Sequence, residues 1–295
     1  MSIFVDENTK VVIQGLSPTS QGCYHGLRNR AYGTQVVAGT NPRRGGEVIE
    51  GIPVYSTVAE AVAETGANAS FITVPPAGAP AAILEAAEAG IPFVVCITEF
   101  IPAHDEARVF AALRRNFPRT RLLGPNCPGI ISPGKANIGI TAGEIALAGG
   151  PVGLVSRSGT VFYQALYELT QKGIGQTTGV GIGGDPVPGT GFVDCLAAFQ
   201  ADPETKAVIM IGEIGGTEEE RAARFIAEQM DKPVVTYIAG VTAPPGRKMG
   251  HAGAIVSGTS GTAAAKMAAL AEAGALVAQN PTEAGELMAD VVAGL

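Results

Sequence analysis

The sequence predicts an α/β protein that is built from two parallel β-sheets. Short aliphatic runs alternate with Ala-rich, helix-like segments, which is the order that right-handed βαβ units require. The composition agrees, because 46% of the 295 residues are hydrophobic, with 40 Gly, only 5% aromatic residues and no Trp. The alternation stops in a Pro- and Gly-rich stretch and then restarts. We therefore expect one domain at residues 1–125, a crossing segment at 126–150 and a second domain at 151–295.

The first half contains aliphatic runs of strand length with helix-like segments between them. Strands are expected at 11–14, 35–39, 69–74, 92–98 and 121–124. About ten helix-like residues lie between the first two strands, and further helices are expected at 57–64, 81–89 and 104–116. Gly90 is a natural helix stop, and Pro75 and Pro76 end the third strand. This alternation predicts a Rossmann-like parallel sheet, which binds ligands at the carboxyl ends of its strands.

Two of these strand ends carry residues that suit phosphate groups. The first strand runs into Gly15-Leu-Ser-Pro-Thr-Ser-Gln-Gly22, a turn of small and hydroxyl-bearing residues before a helix, although Pro18 has no N–H to offer. The second strand is followed by Arg43 and Arg44 instead of the acidic residue that an NAD site needs. Two arginines there favour a phosphorylated ribose, as in NADP or in coenzyme A. Two solvated arginines in a surface loop are the alternative.

The second half opens with a candidate anion site. A strand at Val152–Val155 is followed by Ser156-Arg-Ser-Gly-Thr160, which begins a helix. Ser158 or Thr160 suits the N-cap, and the free N–H groups of the first turn then face an anion. An ordinary helix cap is the alternative interpretation.

Later strands of the second half lead to a carboxylate and a histidine. A run at 180–186 ends in a glycine-rich turn, a run at 207–216 ends by presenting Glu213, and a strand at 233–239 leads to His251. Gly250 and Gly253 allow close approach to this imidazole, and Arg247 and Lys248 add positive charge upstream.

Carboxyl ends of parallel strands share one edge of a sheet, so the helix N-terminus, Glu213 and His251 are expected to converge. A loop histidine and a helix-capping glutamate are the ordinary alternatives, but the convergence favours a nucleophilic imidazole that acts on an anionic group. The chain has no G-x-x-x-x-G-K-[ST] segment. If His251 receives a phosphoryl group, we expect the donor on another chain.

Charge and cysteine use argue against several other classes of protein. A net charge of -7 and a pI near 5.1 disfavour a nucleic-acid binder. No apolar run approaches the ~20 residues of a membrane span, and the first residues lack a basic signal-peptide region. The 4 cysteines and 3 histidines are scattered without metal-ligand spacing. The sequence thus predicts a cytoplasmic protein with reduced thiols, no metal site, no nucleic-acid partner and no membrane partner.

Five motifs in order resemble one known family over essentially the whole chain. They are Gly124-Pro-Asn-Cys-Pro-Gly129, Ser156-Arg-Ser-Gly-Thr160, Gly181-Ile-Gly-Gly-Asp-Pro186, Gly212-Glu-Ile-Gly-Gly216 and Gly250-His-Ala-Gly-Ala-Ile255. The sequence resembles the alpha subunits of succinyl-CoA synthetase, the NDP-forming succinate–CoA ligase. This resemblance implies a CoA-binding Rossmann-like domain, followed by a flavodoxin-like ligase domain.

The resemblance also implies roles for individual residues. His251 would be transiently phosphorylated, Glu213 would hold its other ring nitrogen, and the helix opening at Ser158, Gly159 and Thr160 would stabilise the phosphoryl oxygens. The CoA contacts map onto Ser17, Thr19, Ser20, Gln21, Arg44, Val74, Pro75, Ile97, Thr98 and Glu99. The carboxylate-substrate region maps onto Asn126, Cys127, Pro128 and Tyr163. A beta subunit that binds NTP and Mg²⁺ would complete an αβ or α2β2 enzyme.

Three other functions fit parts of the sequence. A malate–CoA ligase alpha subunit shares the motifs. The sequence identifies neither the acid substrate nor whether the nucleotide is ATP or GTP. A non-catalytic CoA-binding module would explain the first half, but it would need neither Glu213 nor His251. An NADP-dependent oxidoreductase is the third alternative, which rests on the arginines after the second strand.

Overall fold

The computed structural model describes residues 2–244, 250–251, 253–256 and 261–295. In the first half the elements are β1 (Lys10–Gln14), α1 (Gln21–Tyr32), β2 (Gln35–Thr40), β3 (Val48–Ile49), β4 (Ile52–Tyr55), α2 (Val58–Thr65), β5 (Ala69–Ile72), α3 (Ala79–Glu88), β6 (Phe93–Cys96), α4 (Ala103–Asn116) and β7 (Arg121–Leu123). The aliphatic runs and Ala-rich segments of the sequence therefore form the expected strands and helices.

The strands of the first half form one sheet in the order β3-β4-β2-β1-β5-β6-β7. All neighbours pair in parallel except β3, which pairs antiparallel with β4. The parallel strands follow the 3-2-1-4-5-6 order of a Rossmann fold, so the strand order reverses between β1 and β5. The Rossmann-like prediction is confirmed, and the turn after β1 lies at the point where such sheets bind ligands.

The second half forms another sheet with its own helices. Its elements are β8 (Gly129–Ser132), β9 (Ala136–Gly139), a short 3₁₀ helix (Gly143–Ile145), β10 (Val152–Ser156), α5 (Gly159–Gln171), β11 (Gln176–Gly181), α6 (Phe192–Ala201), β12 (Ala207–Glu213), α7 (Glu218–Gln229), β13 (Val234–Ala239), α8 (Ala263–Glu272), β14 (Leu276–Ala278) and α9 (Pro281–Ala293). The sheet order is β14-β13-β12-β10-β11-β8-β9.

Five neighbouring strands of this sheet, β10 to β14, are parallel and follow the flavodoxin-like order, with the switch point between β10 and β12. β8 and β9 add an antiparallel hairpin to β11. The hairpin lies inside residues 126–150, which were expected to be only a crossing segment. Its strands are short and Gly-containing, so they lack the aliphatic run that marks the other strands.

One hydrophobic cluster joins the two sheets. It contains Ile13 and Phe71 from the first sheet together with Val155 from the second and Phe192 from α6, all of them buried. Burial of apolar surface across this contact favours a fixed arrangement of the two halves, because packed interiors resist deformation.

Polar contacts reinforce the junction near the β8–β9 hairpin. Thr34 Oγ1 donates to the carbonyl of Asn137 at 2.9 Å and accepts from the Asn137 N–H at the same distance. Asn29 Nδ2 donates to Gly139 O at 3.2 Å. The hairpin is thereby attached to the first half as well as to its own sheet. Within the described ranges, every helix is too short or too polar to span a bilayer.

Candidate active site

His251 and Glu213 meet at the edge of the second sheet. Glu213 is the last residue of β12, and its Oε2 lies 2.5 Å from Nδ1 of His251. Because an ionised carboxylate can only accept, Nδ1 carries a hydrogen, and in the neutral ring Nε2 is then the nitrogen with the lone pair. The Glu213 side chain is buried, whereas 28% of the His251 side chain is exposed. In its neutral form, the partly accessible imidazole therefore offers Nε2 as its unprotonated nitrogen.

The charge of Glu213 governs the ionisation of the imidazole. The hydrogen bond that His251 donates to Glu213 raises the pKa of His251 above its usual value, and partial burial opposes this effect. Asp185 adds a smaller contribution in the same direction as Glu213, while Arg157 acts against it. A carboxylate in this position stabilises positive charge on the ring.

Arg157 connects Glu213 to the glycine-rich turn after β11. Its Nε lies 3.4 Å from Oε1 of Glu213, and both side chains are almost fully buried. Its Nη2 donates to the backbone carbonyl of Asp185 at 3.0 Å. The Asp185 side chain accepts in turn from Asn126 Nδ2 at 2.9 Å. Asn126 of the candidate substrate region thus belongs to the same polar network as His251.

Two glycines allow the backbone to approach this site closely. A Cβ on Gly184 would lie 2.3 Å from Cγ of the His251 ring. Gly215 has a φ of +86°, and a Cβ there would lie 2.1 Å from the carbonyl oxygen of Gly253. The glycine motifs of the sequence are therefore required for packing against the histidine segment.

A buried ion pair supports the backbone on which Glu213 is carried. Glu219, in the first turn of α7, accepts the N–H of Glu213 through Oε1 at 3.1 Å. Lys266 of α8 donates to the other oxygen of Glu219 and to the carbonyl of Gly215. Both Lys266 and Glu219 have no exposed side-chain surface. Side chains from two helices thus hold the backbone at the end of β12.

The N-terminus of α5 lies against the candidate substrate region. Ser158 is the N-cap, and its hydroxyl accepts from the Val161 N–H at 3.4 Å, which selects it over Thr160 as the capping residue. A Cβ on Gly159 would meet the ring of Pro128 at 3.7 Å. No hydrogen bond or ion pair among the described residues joins Ser158, Gly159 or Thr160 directly to His251.

Cys127 and Tyr163 line the same region without being charged. Burial raises the pKa of the Cys127 thiol, which donates to Cys96 O at 3.3 Å. Burial also raises the pKa of Tyr163 to about 12, and its hydroxyl lies near Thr141 and Cys127. Tyr163 therefore remains a hydrogen-bond donor at neutral pH, and Cys127 is a buried neutral thiol.

The residues expected to contact CoA converge at the switch point of the first sheet. Ser20 caps α1, because its hydroxyl accepts from the N–H groups of Cys23 and Ser17 at 3.1 and 3.0 Å. Thr98 Oγ1 donates to Val74 O at 2.8 Å, which joins the ends of β5 and β6. A Cβ on Gly15 would meet the Val74 side chain at 2.8 Å. The turn after β1 and the ends of β5 and β6 are therefore adjacent.

The outer residues of this group are open to solvent. Thr19, Gln21, Pro75 and Glu99 are exposed, while Ser17 and Ile97 are half-buried. Arg44 follows β2 and forms an ion pair with Glu47, in which Nη1 lies 2.9 Å from Oε2. This exposed ion pair contributes little to stability, so Arg44 can exchange Glu47 for a phosphate at small cost.

Two family models match the two halves of the chain. A CoA binding domain matches residues 6–100, and a CoA-ligase domain matches residues 155–276. The alpha subunit of the ADP-forming succinate–CoA ligase of Aquifex aeolicus is 55% identical over 292 residues, which are 99% of this chain and 95% of that protein. Alpha subunit 2 of the same ligase of Archaeoglobus fulgidus is 54% identical over 99% of this chain and 100% of its own length. The chain belongs to the succinate–CoA ligase alpha-subunit family.

Two solved structures of longer chains share the fold of this chain. The ATP citrate lyase of Methanosaeta concilii, a D541A mutant in complex with (3S)-citryl-CoA, superimposes with a TM-score of 0.90 at 28% identity. It matches 99% of this chain, which spans about half, 51%, of that chain. A dinucleotide-forming acetyl-coenzyme A synthetase of Ca. Korarchaeum cryptofilum shares the fold, with a TM-score of 0.75 at 21% identity over 97% of this chain and 61% of its own. The family fold thus also occurs within longer chains.

Several residues of this family member's site were not predicted from the sequence. Arg157 and Asp185 stand inside recognised motifs, but only the structure shows that they connect Asn126 to Glu213. Lys266 was missed entirely, although a single lysine inside Ala263-Ala-Ala-Lys-Met-Ala-Ala-Leu270 is an unusual charge for a buried helix face. Arg247 and Lys248 lie outside the described residues. Within the described ranges, no group of three or more His, Cys, Asp or Glu could hold a metal ion.

We predict that Glu213→Gln lowers the pKa of His251. Glutamine can still accept from Nδ1, but it removes the negative charge that favours the imidazolium. Because the pKa of His251 is raised, its contribution to stability is fully present below about pH 6.5 and is lost as the pH rises through the folded-state pKa. A histidine NMR titration measures the shift, and His25 in α1 is the internal control. An unchanged titration of His251 would mean that Glu213 carries no charge there.

We predict that Lys266→Met lowers the free energy of unfolding by about 3–5 kcal/mol, because it leaves the Glu219 carboxylate buried without its partner. Denaturant unfolding measures the loss, and Lys172→Met at the exposed end of α5 is the control. Lys266→Met combined with Glu219→Gln should recover part of it, since the neutral amide still accepts the Glu213 N–H. A double variant no more stable than Lys266→Met would contradict the ion-pair interpretation.

Proposed function

We propose that this chain is the alpha subunit of an ADP-forming succinate–CoA ligase, and that it carries the phosphoryl group on His251 between two half-reactions. The observation that carries the proposal is the 2.5 Å contact between Nδ1 of His251 and Glu213. A non-catalytic CoA-binding module has no use for an imidazole that is oriented in this way. The match of a CoA-ligase model to residues 155–276 supports the same choice.

Phosphorylation places a positive charge on the imidazole, and the site is arranged to stabilise that charge. Nε2 attacks the γ-phosphorus of ATP with its lone pair as the bond to the bridging oxygen breaks and ADP leaves, while Nδ1–H donates to Glu213 throughout. Arg157, whose Nε lies 3.4 Å from Glu213 Oε1, places a positive charge beside this carboxylate. The half-buried setting strengthens these interactions relative to water.

The N-terminus of α5 provides a second place for phosphoryl oxygens. The Ser158 hydroxyl is used in capping the helix, so the backbone N–H groups of Gly159 and Thr160 are the donors that this role requires. Pro128, two residues after Asn126 and immediately before β8, lies beside the first residue of this helix. We assign the carboxylate substrate to this region, where Tyr163 offers a protonated hydroxyl. The acid can then take the phosphoryl group as an acyl phosphate.

Coenzyme A fits the switch point of the first sheet. The first turn of α1 offers backbone N–H groups beyond its Ser20 cap, and these suit a pyrophosphate. Pro18 offers none, so the donors come from the helix rather than from the middle of the turn. Arg43 and Arg44 provide positive charge after β2 for the 3′-phosphate. The CoA thiolate then displaces phosphate from the acyl phosphate.

The chain requires a partner for this reaction. The names of its relatives as alpha subunits support a beta subunit, on which we place the nucleotide and Mg²⁺, in an αβ or α2β2 enzyme. Four buried, unpaired cysteines suit a reducing compartment, and we propose the cytoplasm.

The assembled enzyme should become labelled on His251 when it is incubated with γ-labelled ATP. The label should be stable in base and labile in acid, as expected of a phosphoramidate, and it should be discharged by succinate with CoA. His251→Ala should carry no label while it still binds CoA, because the CoA site belongs to the first sheet. His104→Ala, on the exposed start of α4, should be labelled normally. Label that persists in His251→Ala would refute the proposal.

The arginines after β2 should distinguish CoA from its 3′-dephospho form. Loss of a charge-assisted phosphate contact costs about 1.5–3 kcal/mol, which is roughly a 10- to 150-fold weaker affinity. Isothermal titration of both ligands measures the difference, and Arg43→Gln with Arg44→Gln should abolish it. Arg115→Gln on α4 serves as a control that removes a positive charge away from this site. Equal binding of the two ligands by the unaltered protein would show that these arginines do not read the 3′-phosphate.

A further inference from the structure

A carboxyl group from the first half of the chain lies beside the turn of the second half that packs against His251. Glu106 stands in the first turn of α4, where exposed acidic residues are favourable, yet only 4% of its surface is exposed. Its carboxyl group lies next to the carboxyl group of Asp185, which is itself 6% exposed. Two carboxyl groups therefore meet in a buried position between the two sheets.

These carboxyl groups lack enough donors for two ionised side chains. Asp185 Oδ1 accepts from Asn126 Nδ2 at 2.9 Å. Asp185 Oδ2 and both oxygens of Glu106 are buried without a well-formed hydrogen bond from another group among the described residues. The backbone N–H of Val187 lies near Glu106 and acts to lower its pKa, but one N–H does not satisfy three oxygens. Two carboxylates in such a position repel each other and stay desolvated. One proton between them supplies the missing donor and removes the repulsion.

Other charges near the pair do not replace this proton. The ionisable groups that face it from neighbouring elements of the described chain are Cys96 at the end of β6, Cys127 before β8, Arg157 after β10, and His251. Both thiols are neutral, because burial raises the pKa of each, that of Cys96 to about 11. Arg157 reaches the backbone carbonyl of Asp185 but forms its ion pair with Glu213.

The position of Asp185 is coupled to the histidine by two contacts. The preceding residue, Gly184, lies directly against the imidazole, where a Cβ would come within 2.3 Å of the ring. The carbonyl of Asp185 accepts from Arg157, whose guanidinium lies 3.4 Å from the carboxylate that holds His251. A displacement of Asp185 would therefore move both the surface under the ring and the partner of Glu213.

We propose that Glu106 and Asp185 share one proton, and that this shared proton holds the Gly184–Asp185 turn against His251. Glu106 is thus a positioning residue that makes the histidine site depend on a helix of the CoA-binding half. Its effect on phosphorylation rests on the function proposed above, whereas the shared proton does not.

The shared proton gives the site a defined dependence on pH. Burial, together with the contact with Asp185, raises the pKa of Glu106 to about 8 from a usual value of 4.5. The folded protein therefore holds a proton that the unfolded chain releases, so the stabilisation is fully present below about pH 4.5 and is lost as the pH rises through about 8. Above that pH, two carboxylates repel each other beside the turn.

The variant Glu106→Gln separates the hydrogen bond from the proton. Its amide N–H donates to Asp185 at every pH, so the turn should stay in place where the wild-type pair ionises. The matched control is Asp105→Asn, which also loses one carboxylate, in the same helical turn, from a side chain that is 40% exposed. Infrared difference spectra should show a protonated-carboxyl band that disappears near pH 8 in the wild type and in Asp105→Asn. The band should be absent from Glu106→Gln, and an unchanged band in that variant would overturn the inference.

Two measurements on His251 test the coupling. In the full chain, the NMR signals of the ring should show an extra inflection near pH 8 that Glu106→Gln lacks. In the assembled enzyme, the phosphorylation rate of wild type relative to Glu106→Gln should fall about tenfold between about pH 7 and about pH 9, because a group with this pKa loses most of its proton over that range. Asp105→Asn should follow the wild type.

The outcomes separate this inference from the proposed function. A constant ratio of rates, or identical ring titrations in wild type and Glu106→Gln, would overturn the coupling to His251. Failure of the wild type to be labelled at any pH would refute the proposed function. The infrared band and the ring titration would still decide the inference in that case, because neither depends on nucleotide.

Discussion

The hydrogen bond between His251 and Glu213 is the contact on which the site depends. It fixes the tautomer of the neutral ring, in which Nε2 is the unprotonated nitrogen, and it raises the pKa of the imidazole. The contact requires a buried carboxylate at the end of β12. Arg157 supplies the opposite charge, and Glu219 with Lys266 holds the backbone of Glu213 through α7 and α8. Side chains from the segment after β10, from α7 and from α8 therefore keep one carboxylate in place.

The two halves of the chain use the same physical rule for different ligands. Each sheet reverses its strand order once, between β1 and β5 in the first and between β10 and β12 in the second. A helix N-terminus with a serine cap stands beside each reversal, Ser20 before α1 and Ser158 before α5. Backbone N–H groups and the helix dipole favour anions at such places. The hydrophobic cluster that both sheets share keeps these two sites in a fixed relation.

The sequence predicted the elements whose signals are local. Most aliphatic runs gave strands within one or two residues of their observed ends, and Ser158 was one of two candidates for the cap of α5. The run at 180–186 did not, because β11 spans Gln176–Gly181, and the short strands β3, β4 and β14 were not expected. The β8–β9 hairpin was not expected, because short Gly-containing strands are stable only when they pair with a neighbour such as β11. Glu106 gave no signal either, since an acidic residue in the first turn of a helix is ordinary until its neighbour is known.

The sequence by itself determined the fold class, the family and the identity of the two central side chains, because motifs and periodicity are properties of adjacent residues. Only the tertiary structure decided the burial, the partners and the surrounding charge of those side chains. His251 and Glu213 are 38 residues apart, Lys266 and Glu219 are 47 apart, and Asn126 and Asp185 are 59 apart. Burial, charge pairing and a shared proton arise from contacts between such distant residues, and folding alone brings them within reach of one another.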